Sequence, residues 1–547
     1  MPQYDYQPFD VITPPELGGE GEAKDTYPVA IIGAGPIGLA AAIDLATKGI
    51  PSVVLDDNNV VSVGSRAICW AKRTLEIFDR LGVGDRMLEK GVTWKTGRLF
   101  HGGSEVYNFD LLPEEGHKYP AFVNLQQYYV EQYLVERARE FSDMIDLRFK
   151  NKVIKHNDLG GHVVLLIQSP DGEYEIKAEY VLACDGAGSP TRARMELPFE
   201  GQSFEEHFLI ADVEMEQSPF ETETAERWFW FEPDFHPGQS ALLHKQPDNI
   251  YRIDLQLGPE TDPKTEATEE KVFPRIKAMV GDKPFKLDWM SVYKFRCAKL
   301  DRFVHNRVIF VGDSAHVVSP FGARGGNGGI QDVDNLCWKL AMVLNGEASD
   351  TLLETYNEER MHGSEENILH SSRATNFMTP KSPVEQLFRN EVLKLSKDLP
   401  FARKLINSGR LSTPCSLAGV GLQLDSADED SSMHAGKVVV DAPVTVNGRE
   451  TWLVSLLQGG LKLVGFGDVK LPEVDGVERI GIGCSAGQDY PVYADPNGLA
   501  LKRYGEKAAY LLRPDGHVLA VFEDPKPEDI ISALAPIFSE AKLKEVA

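Results

Sequence analysis

The chain is poor in cysteine, in long apolar runs and in positive charge. Its 6 cysteines among 547 residues form no CxxC pair and lie near no histidine cluster, so the sequence indicates neither a metal site nor a disulfide framework. No apolar run reaches the roughly 18 residues of a membrane-spanning helix. The 57 Lys and Arg against 83 Asp and Glu give a formal charge of −26, which argues against nucleic acid and anionic membrane as partners.

The N-terminal segment is acidic and rich in Pro and Gly, unlike a signal or transit peptide. We predict that residues 1–25 form an arm that lies on the surface or on a partner subunit. Because cysteine is scarce and unpaired, we expect a cytoplasmic protein.

The segment GAGPIG at residues 33–38 follows the apolar run 29–32 and precedes an alanine-rich helical stretch. In such a strand, turn and helix, Gly33 permits the tight turn, Gly35 lets the backbone approach a pyrophosphate and Gly38 lets the helix pack on the strand. Pro36 suits the first helical turn, where its missing N–H costs nothing. The pattern predicts a dinucleotide site.

Asp56 ends a second predicted strand, 18 residues after Gly38, where a ribose hydroxyl needs an acceptor. Because its carboxylate repels the 2′-phosphate of NADP, the sequence disfavours NADP at this first site.

A second glycine-rich segment starts at Gly312, after the apolar strand 307–311. Asp313 can accept a hydrogen bond from a ribityl hydroxyl, and the helix that opens at residues 322–329 presents backbone N–H groups. Between the two segments, the strand 180–183 delivers Asp185 into another tight turn. Three loops that converge on one crevice indicate FAD, held at both ends.

The remaining segments differ in pattern. Alternating apolar and polar residues predict an antiparallel sheet over residues 207–215, 227–231, 240–244, 251–257 and 289–295. Helical segments follow from residue 332 to about residue 411, and residues 425–432 form an acidic linker to a final α/β unit.

Three motifs carry a family resemblance. GAGPIG, CDGAGSPTR and GDSAHVVSPFGARGGNGGIQDVDNLCWKL, in this order, resemble the single-component FAD-dependent aromatic hydroxylases (group A flavoprotein monooxygenases) over about residues 26–365. The tail sequence YGEKAAYLLRPDGHVLAVFEDP resembles the phenol hydroxylase and 3-(3-hydroxyphenyl)propionate hydroxylase branch, and this resemblance implies a homodimer.

The resemblance implies an α/β fold with a Rossmann-like, glutathione-reductase-like FAD-binding domain, an inserted antiparallel-sheet substrate domain and a C-terminal thioredoxin-like domain. The corresponding boundaries are an N-terminal arm (1–25), the FAD-binding domain in two parts (26–202 and 298–365), the substrate domain (203–297), a helical connector and linker (366–432) and the thioredoxin-like domain (433–547).

The family pattern also implies the cofactor-binding residues. They are Gly33, Gly35, Pro36, Ile37, Gly38, Asp56, Arg66, Gln127, Asp185, Asp313, Pro320, Gly325, Gly326 and Asn327. Arg66 would approach the pyrophosphate, Asp185 would support FAD and transient nicotinamide binding, and Pro320 would line the oxygen-reacting face. Arg324 stands where many relatives have glutamine, and its side chain either modifies the flavin electronics or points to solvent.

The resemblance implies that NAD(P)H reduces FAD, that O2 forms a flavin C4a-hydroperoxide and that a phenolic ring carbon attacks it. A phenol has a pKa near 10, so a cation or base must favour its phenolate near pH 7. Weak candidates on the predicted sheet are His207, His244, Tyr251, Arg252 and Tyr293, each of which is more simply an outward-facing polar residue.

Arg252 is the preferred partner if the substrate carries a carboxylate, because its planar fork binds one bidentately. Alternation places Tyr251 and Arg252 on opposite faces of the sheet, so at most one of them enters the pocket. The sequence does not show whether the reductant is NADH or NADPH, and it does not identify the phenol.

Two other functions share the nucleotide motifs. WFWFEP at residues 228–233 partly resembles a flavin-dependent halogenase signature, although Glu232 replaces its isoleucine and no matching lysine motif is present. A non-catalytic, flavin-containing aromatic or drug-binding protein would also keep these motifs, but would show no phenol-dependent oxidation of NAD(P)H.

Overall fold

The computed structural model describes residues 4–64, 67–112, 114–220, 222, 224–258, 261–406, 413–423, 433–485 and 487–546. The β-strands are β1 (Tyr27–Ile32), β2 (Ser52–Asp56), β3 (Cys69–Ala71), β4 (Val92–Trp94), β5 (Thr96–His101), β6 (Ser104–Asp110), β7 (Phe122–Asn124), β8 (Ile145–Phe149), β9 (Lys152–Asp158), β10 (Val163–Ser169), β11 (Gly172–Ala183), β12 (Glu200–Glu214), β13 (Glu226–Phe231), β14 (Ser240–Lys245), β15 (Ile250–Leu257), β16 (Lys286–Lys299), β17 (Val304–His305), β18 (Val308–Phe310), β19 (His316–Val317), β20 (Pro443–Val446), β21 (Arg449–Trp452), β22 (Lys462–Phe466), β23 (Glu478–Ile482), β24 (Val492–Tyr493), β25 (Ala508–Leu512) and β26 (Val518–Phe522).

The α-helices are α1 (Pro36–Thr47), α2 (Lys72–Arg80), α3 (Gly84–Lys90), α4 (Gln127–Arg139), α5 (Pro190–Arg194), α6 (Pro263–Glu266), α7 (Glu269–Val280), α8 (Gly325–Leu344), α9 (Thr351–Met378), α10 (Pro383–Ser396), α11 (Pro400–Ile406), α12 (Leu453–Leu456), α13 (Leu499–Tyr504), α14 (Pro527–Leu534) and α15 (Glu540–Val546). None of these helices is long and apolar enough to cross a membrane.

The first sheet has a parallel centre in the order β18, β11, β1, β2 and β8. β1, the middle of β2, β18 and the end of β11 are continuous apolar runs because helices cover both faces, as in doubly wound α/β folds. The α1 helix starts at Pro36, as the sequence predicts, and packs against α8. The structure confirms the predicted Rossmann-like layer.

The second sheet runs in the order β19, β16, β12, β15, β14, β13, β5 and β6. All five strands predicted from alternation are present in it, as β12 to β16. The prediction left residues 96–110 in the FAD-binding part, whereas β5 and β6 extend this sheet and β5 pairs with β13 in parallel. Hairpin strands far away in sequence can join an exposed sheet edge, which local patterns do not reveal.

The two sheets share continuous elements. The predicted boundaries after residues 202, 297 and 365 fall inside β12, β16 and α9, respectively. The division into domains stays a prediction. Because long strands run through these boundaries, no single residue separates one domain from the next.

The C-terminal unit contains a sheet in the order β24, β23, β22, β25 and β26. Its centre is mixed, since β22 pairs with β23 in parallel and with β25 in antiparallel orientation. This is the arrangement expected of a thioredoxin-like domain. Cys484 is the one cysteine in the sequence of this C-terminal unit, so the unit has no pair of thiols for redox chemistry.

A buried ionic network fixes this unit to the rest of the chain. Glu359 on α9 accepts hydrogen bonds from Arg513 Nη1 at 2.8 Å and Nη2 at 2.9 Å and from Lys339 Nζ at 2.8 Å. Arg513 also pairs with Asp515, whose side chain accepts from Trp338 Nε1 at 3.3 Å. Burial raises the pKa of Glu359, but Arg513 and Lys339 outweigh it and hold the pKa at about 2.

We predict that Arg513→Ala lowers the free energy of unfolding by about 3–5 kcal/mol, because it leaves Glu359 and Asp515 buried with one cation fewer. Urea denaturation followed by fluorescence measures the change. Arg479→Ala is the matched control, since Arg479 pairs with the exposed Asp489 and such pairs contribute about 0–1 kcal/mol. Equal losses in both variants would contradict the structural role of the network.

Candidate active site

One cavity of about 1030 Å3 lies between the first and second sheets. Its volume lies at the upper end of the roughly 300–1000 Å3 of small-ligand pockets, as expected for a site that holds a long ligand. Its lining combines the ends of β1, β2, β11 and β18 with one face of the second sheet. The carboxyl ends of parallel strands meet at one edge, which is where such folds bind ligands.

The turn after β1 has the geometry of a phosphate cradle. Gly33 has φ +109°, and a Cβ there would lie 2.5 Å from the carbonyl oxygen of Cys184. A Cβ on Gly38 would lie 1.9 Å from the carbonyl oxygen of Gly33, so the helix can pack this closely only with glycine. A Cβ on Gly35 would meet nothing within 4 Å, since Gly35 borders the open cavity ahead of the α1 N-terminus. Pro36 and Ile37 also line the cavity, whereas Gly38 lies behind it.

Asp56 stands beside this turn. Its Oδ2 accepts the N–H of Ala34 at 2.6 Å and its Oδ1 accepts the N–H of Asn58 at 2.8 Å. Burial raises the pKa of Asp56, and the two backbone N–H groups oppose that shift. The carboxylate therefore both holds the glycine turn and faces the cavity, as a ribose acceptor must.

Gln127 opens α4 and lines the cavity. Its Oε1 accepts the N–H of Ala67 at 3.1 Å and its Nε2 donates to Glu131 Oε1 at 2.8 Å. Glu131, which the sequence analysis missed, is a buried carboxylate on the cavity wall that also accepts from Ser62 Oγ at 2.7 Å. The i to i+4 spacing on α4 is the signal that links it to Gln127. Arg66 lies outside the described residues.

Asp185 lines the cavity after β11. Its Oδ2 accepts the N–H of Thr191 at 2.9 Å and its Oδ1 accepts from Ser189 Oγ at 2.5 Å, so the carboxylate organises the start of the short α5 helix.

Asp313 is exposed at the cavity rim. The turn that carries it is held by Asp332 on α8, whose Oδ2 accepts the N–H of Gly312 at 3.0 Å and contacts His316 Nε2 at 2.6 Å. Arg360 on α9 donates to Asp332 Oδ1 at 2.6 Å. Burial raises the pKa of Asp332, but His316 and Arg360 outweigh it and lower the pKa.

Pro320, Gly325, Gly326 and Asn327 line the opposite end of the cavity, where α8 begins. Asn327 accepts the N–H of Ala71 at 2.9 Å and donates to the carbonyl oxygen of Cys69 at 2.9 Å, which fastens β3 to the start of α8. A helix N-terminus at this place favours negative charge on a bound group.

Arg324 does not point to solvent. It is 4 % exposed, lines the cavity and donates from Nη1 to Asn367 Oδ1 at 2.8 Å. This burial argues against the solvent-facing alternative, and an effect of Arg324 on the flavin electronics stays a prediction.

These residues fit FAD. The open position at Gly35, the carboxylate of Asp56 and the helix N-termini of α1 and α8 face one continuous space. Two glycine-rich turns and the Asp185 loop surround it, as the sequence predicts, and the space continues to the second sheet.

The second sheet carries a row of polar residues beside the cavity. Arg227, His244, Arg252 and Asp212 stand side by side in the register of β13, β14, β15 and β12, and the first three of them line the cavity. Asp254 lies two residues beyond Arg252 on the same face and also lines the cavity. Apolar side chains next to this row line the cavity as well: Phe208, Ile210, Leu242, Phe295 and Phe321.

The two arginines of this row differ in their partners. Arg252 donates from Nε to Asp212 Oδ1 at 2.8 Å and from Nη2 to Oδ2 at 2.7 Å, so its fork already holds a carboxylate. Arg227 is 5 % exposed and lies over the rings of Phe229 and Trp94, at 4.9 and 5.6 Å from their centroids. Among the described residues, no carboxylate forms an ion pair with Arg227, and its Nε has no hydrogen-bond partner.

His244 lies between these arginines and is 2 % exposed. Its Nε2 is 3.5 Å from Asp254 Oδ2, and within the described part of the chain neither of its ring nitrogens has a hydrogen-bond partner. Burial, reinforced by the nearby Arg227, lowers the pKa of His244 to about 4. The imidazole is therefore neutral near pH 7 and can accept a hydrogen bond at one ring nitrogen.

The other sequence candidates divide between the two faces of the sheet. Tyr293 lines the cavity, whereas Tyr251 is buried on the opposite face against α7. His207 is half-buried and does not line the cavity. The sequence analysis missed Arg227 and Asp254. Arg227 could have been detected, because it lies on the same face of β13 as every second aromatic residue that follows it and is therefore a charged residue on an apolar face.

Comparisons with known proteins agree with this geometry. The sequence pattern of the FAD binding domain family matches residues 26–370. A flavin-dependent monooxygenase from Mycobacteroides abscessus is 29% identical over 390 residues, covering 66% of this chain and 78% of the relative. A 3-(3-hydroxy-phenyl)propionate/3-hydroxycinnamic acid hydroxylase from Klebsiella pneumoniae subsp. pneumoniae is 27% identical over 453 residues, 81% of this chain and 79% of the relative.

Among solved structures, the flavin-dependent monooxygenase PieE, in complex with FAD and substrate, superposes with a TM-score of 0.78 at 21% identity. The match covers 96% of this chain and all of PieE, so the two chains share their fold throughout.

We predict that Gly35→Ser weakens FAD binding at least about tenfold, because the added side chain projects into the space that the pyrophosphate needs. Serine keeps a good N-cap for α1, so the thermal midpoint of the apoprotein should not change. Fluorescence titration with FAD measures the affinity. Gly460→Ser is the control, since a Cβ there also meets nothing within 4 Å but lies outside the cavity. Unchanged FAD affinity in Gly35→Ser would disprove the cradle.

Proposed function

Because the chain belongs to the FAD binding domain family and is a flavoprotein monooxygenase, we propose that it uses FAD, reduced nicotinamide and O2 to hydroxylate a phenolic aromatic compound. The observation that carries the proposal is the polar end of the cavity, where the buried Arg227 and the neutral His244 stand next to apolar walls. An aromatic ring with one acidic hydroxyl group matches both features.

Arg227 provides the charge that a phenolate needs. A buried cation without an anionic partner is unfavourable, and a bound phenolate would compensate it at short range. The same attraction lowers the pKa of the bound phenol and so increases the electron density of its ortho and para carbons. Arg252 is less suited to this role because Asp212 already occupies its fork.

His244 is the hydrogen-bond acceptor for the phenolic hydroxyl. Its pKa of about 4 keeps the imidazole neutral near pH 7, so it accepts a hydrogen bond from the phenol but does not retain the phenolic proton. That proton passes to solvent as the substrate binds, and Arg227 compensates the charge of the phenolate. Nε2 of His244 lies 3.5 Å from Asp254 Oδ2, and such contacts often shorten when substrate binds.

The apolar walls position the ring and exclude water. Phe208, Ile210 and Leu242 project from the second sheet, and Phe321 follows Pro320 in the loop before α8. Bound FAD supplies the reduction and activation of O2, which no side chain of this site can perform. The chain itself orients the ring and compensates the charge of the phenolate.

The halogenase alternative is not favoured. Trp228 and Trp230 of WFWFEP pack on the face of the second sheet that lies away from the cavity, with Phe220 and Phe235. The relatives named above are monooxygenases and hydroxylases.

We expect the purified protein to be yellow and to oxidise NAD(P)H faster in the presence of a suitable phenol. Oxygen uptake and NAD(P)H consumption should be measured with simple phenols, hydroxybenzoates, hydroxyphenylacetates and hydroxyphenylpropionates, and mass spectrometry should identify a product heavier by one oxygen atom. A flavin-loaded protein that no phenol stimulates, even with chemically reduced flavin, would favour the non-catalytic alternative.

Replacing Arg227 separates phenolate binding from a structural role. We predict that Arg227→Met lowers kcat/KM for the phenol about 100-fold, the effect of losing one charged hydrogen bond in a buried site. The visible spectrum of bound 4-nitrophenol, whose phenolate is coloured, should show ionisation at a higher pH in the variant than in the wild type. Arg98→Met is the control, because Arg98 lies on the neighbouring β5, is paired with Glu226 and does not line the cavity. An unchanged nitrophenol spectrum would rule out this role for Arg227.

A further inference from the structure

The N-terminal arm reaches the adenosine end of the cavity. Phe9 is part of the cavity wall, together with Asp57, Asn58 and Val153. The family pattern begins only at residue 26, so this contact comes from a segment that the family match does not include.

Two pairs of contacts fix Phe9 in this position. The first pair is two hydrogen bonds: its N–H donates to the carbonyl oxygen of Asn59 at 2.6 Å, and Asn59 Nδ2 donates back to the carbonyl oxygen of Phe9 at 3.0 Å. The second pair is two ring contacts: Phe149 stacks on the ring with centroids 4.8 Å apart and planes inclined by 21°, and the Arg139 guanidinium lies over the ring at 5.4 Å from its centroid. Phe149 is the register partner of Asp56, the ribose-side carboxylate, across β2 and β8.

The arm is attached on both sides of Phe9. Before it, Tyr4 packs on Tyr128 at 4.2 Å between ring centroids, and Tyr6 Oη accepts the N–H of Gly64 at 3.2 Å. After it, Glu16 accepts from Arg148 Nη1 at 2.8 Å. Residues 4–9 thus contact α4, which begins at Gln127, and the loop that follows Asp56, the last residue of β2.

We propose that residues 4–9 form a strap across the adenosine end of the FAD site, with Phe9 as a wall against which the adenine packs. In a strand, glycine turn and helix site, the acid that ends the second strand takes the ribose, so the base lies just beyond Asp56, where Phe9 and Phe149 stand. Since Phe149 and Arg139 cover the ring of Phe9, the adenine would pack on the ring edge that lines the cavity, and such an apolar contact needs no hydrogen-bond recognition. A strap closed over this end also slows the release of FAD.

The proposed role of the strap requires that the chain binds FAD, but it does not require the hydroxylation proposed above. Its failure and the failure of the reaction are distinguishable, because the first changes cofactor affinity in apoprotein and the second changes turnover at saturating FAD.

The experiment compares Phe9→Ala, Phe9→Tyr and Val11→Ala with wild-type apoprotein. We expect Phe9→Ala to raise the Kd for FAD about tenfold and to accelerate FAD dissociation, whereas Phe9→Tyr, which keeps the ring, restores wild-type binding. Val11 is 40% exposed and does not line the cavity, so Val11→Ala should bind like the wild type. Flavin fluorescence measures both the Kd and the dissociation rate.

FMN provides the discriminating ligand, since it lacks the adenosine. Its Kd should be the same in Phe9→Ala and wild type. A loss of affinity that is equal for FAD and FMN would show that Phe9 only stabilises the fold, and an unchanged FAD affinity in Phe9→Ala would overturn the strap. An equal loss in Val11→Ala would overturn it as well.

Discussion

The carboxylate of Asp332 is the constraint on which the flavin end of this molecule depends. It is fully buried, and in one place it accepts the N–H of Gly312, contacts His316 and pairs with Arg360. The turn of Asp313 and the first halves of α8 and α9 therefore meet at a single group. Such a charge is tolerated in the interior only when its partners are complete, so the three segments keep one mutual arrangement.

The two ends of the cavity are built on different principles. At the cofactor end, backbone geometry dominates, because glycine turns and helix N-termini present N–H groups whatever the surrounding side chains are. At the other end, side chains on one face of a sheet set the chemistry, and their neighbours are fixed by strand register. Arg227 and Arg252 are separated by one strand, yet the carboxylate of Asp212 lies next to only one of them, which gives the two guanidinium groups different roles.

The sequence predicted the features that local patterns encode. The glycine turns, the strands β1, β2, β11 and β18, and the five central strands of the second sheet all have signatures within a few residues. It did not predict the parts that arise from pairing across long distances. Three such contacts are the pairing of β5 with β13, the ion pair of Arg252 with its partner on β12 and the stacking of Phe9 on Phe149. In each case the two segments are far apart in sequence, and neither segment contains a local pattern that identifies the other.

Adjacent residues on α9 belong to different networks. Glu359 faces Arg513 of the C-terminal unit, and Arg360 faces Asp332 behind the flavin turn. During synthesis the chain emerges from its N-terminus, so Gly33 and Asp56 leave the ribosome long before α9 has been made. The contact of Arg360 with Asp332 can therefore form only late in synthesis, and the contact of Glu359 with Arg513 forms later still.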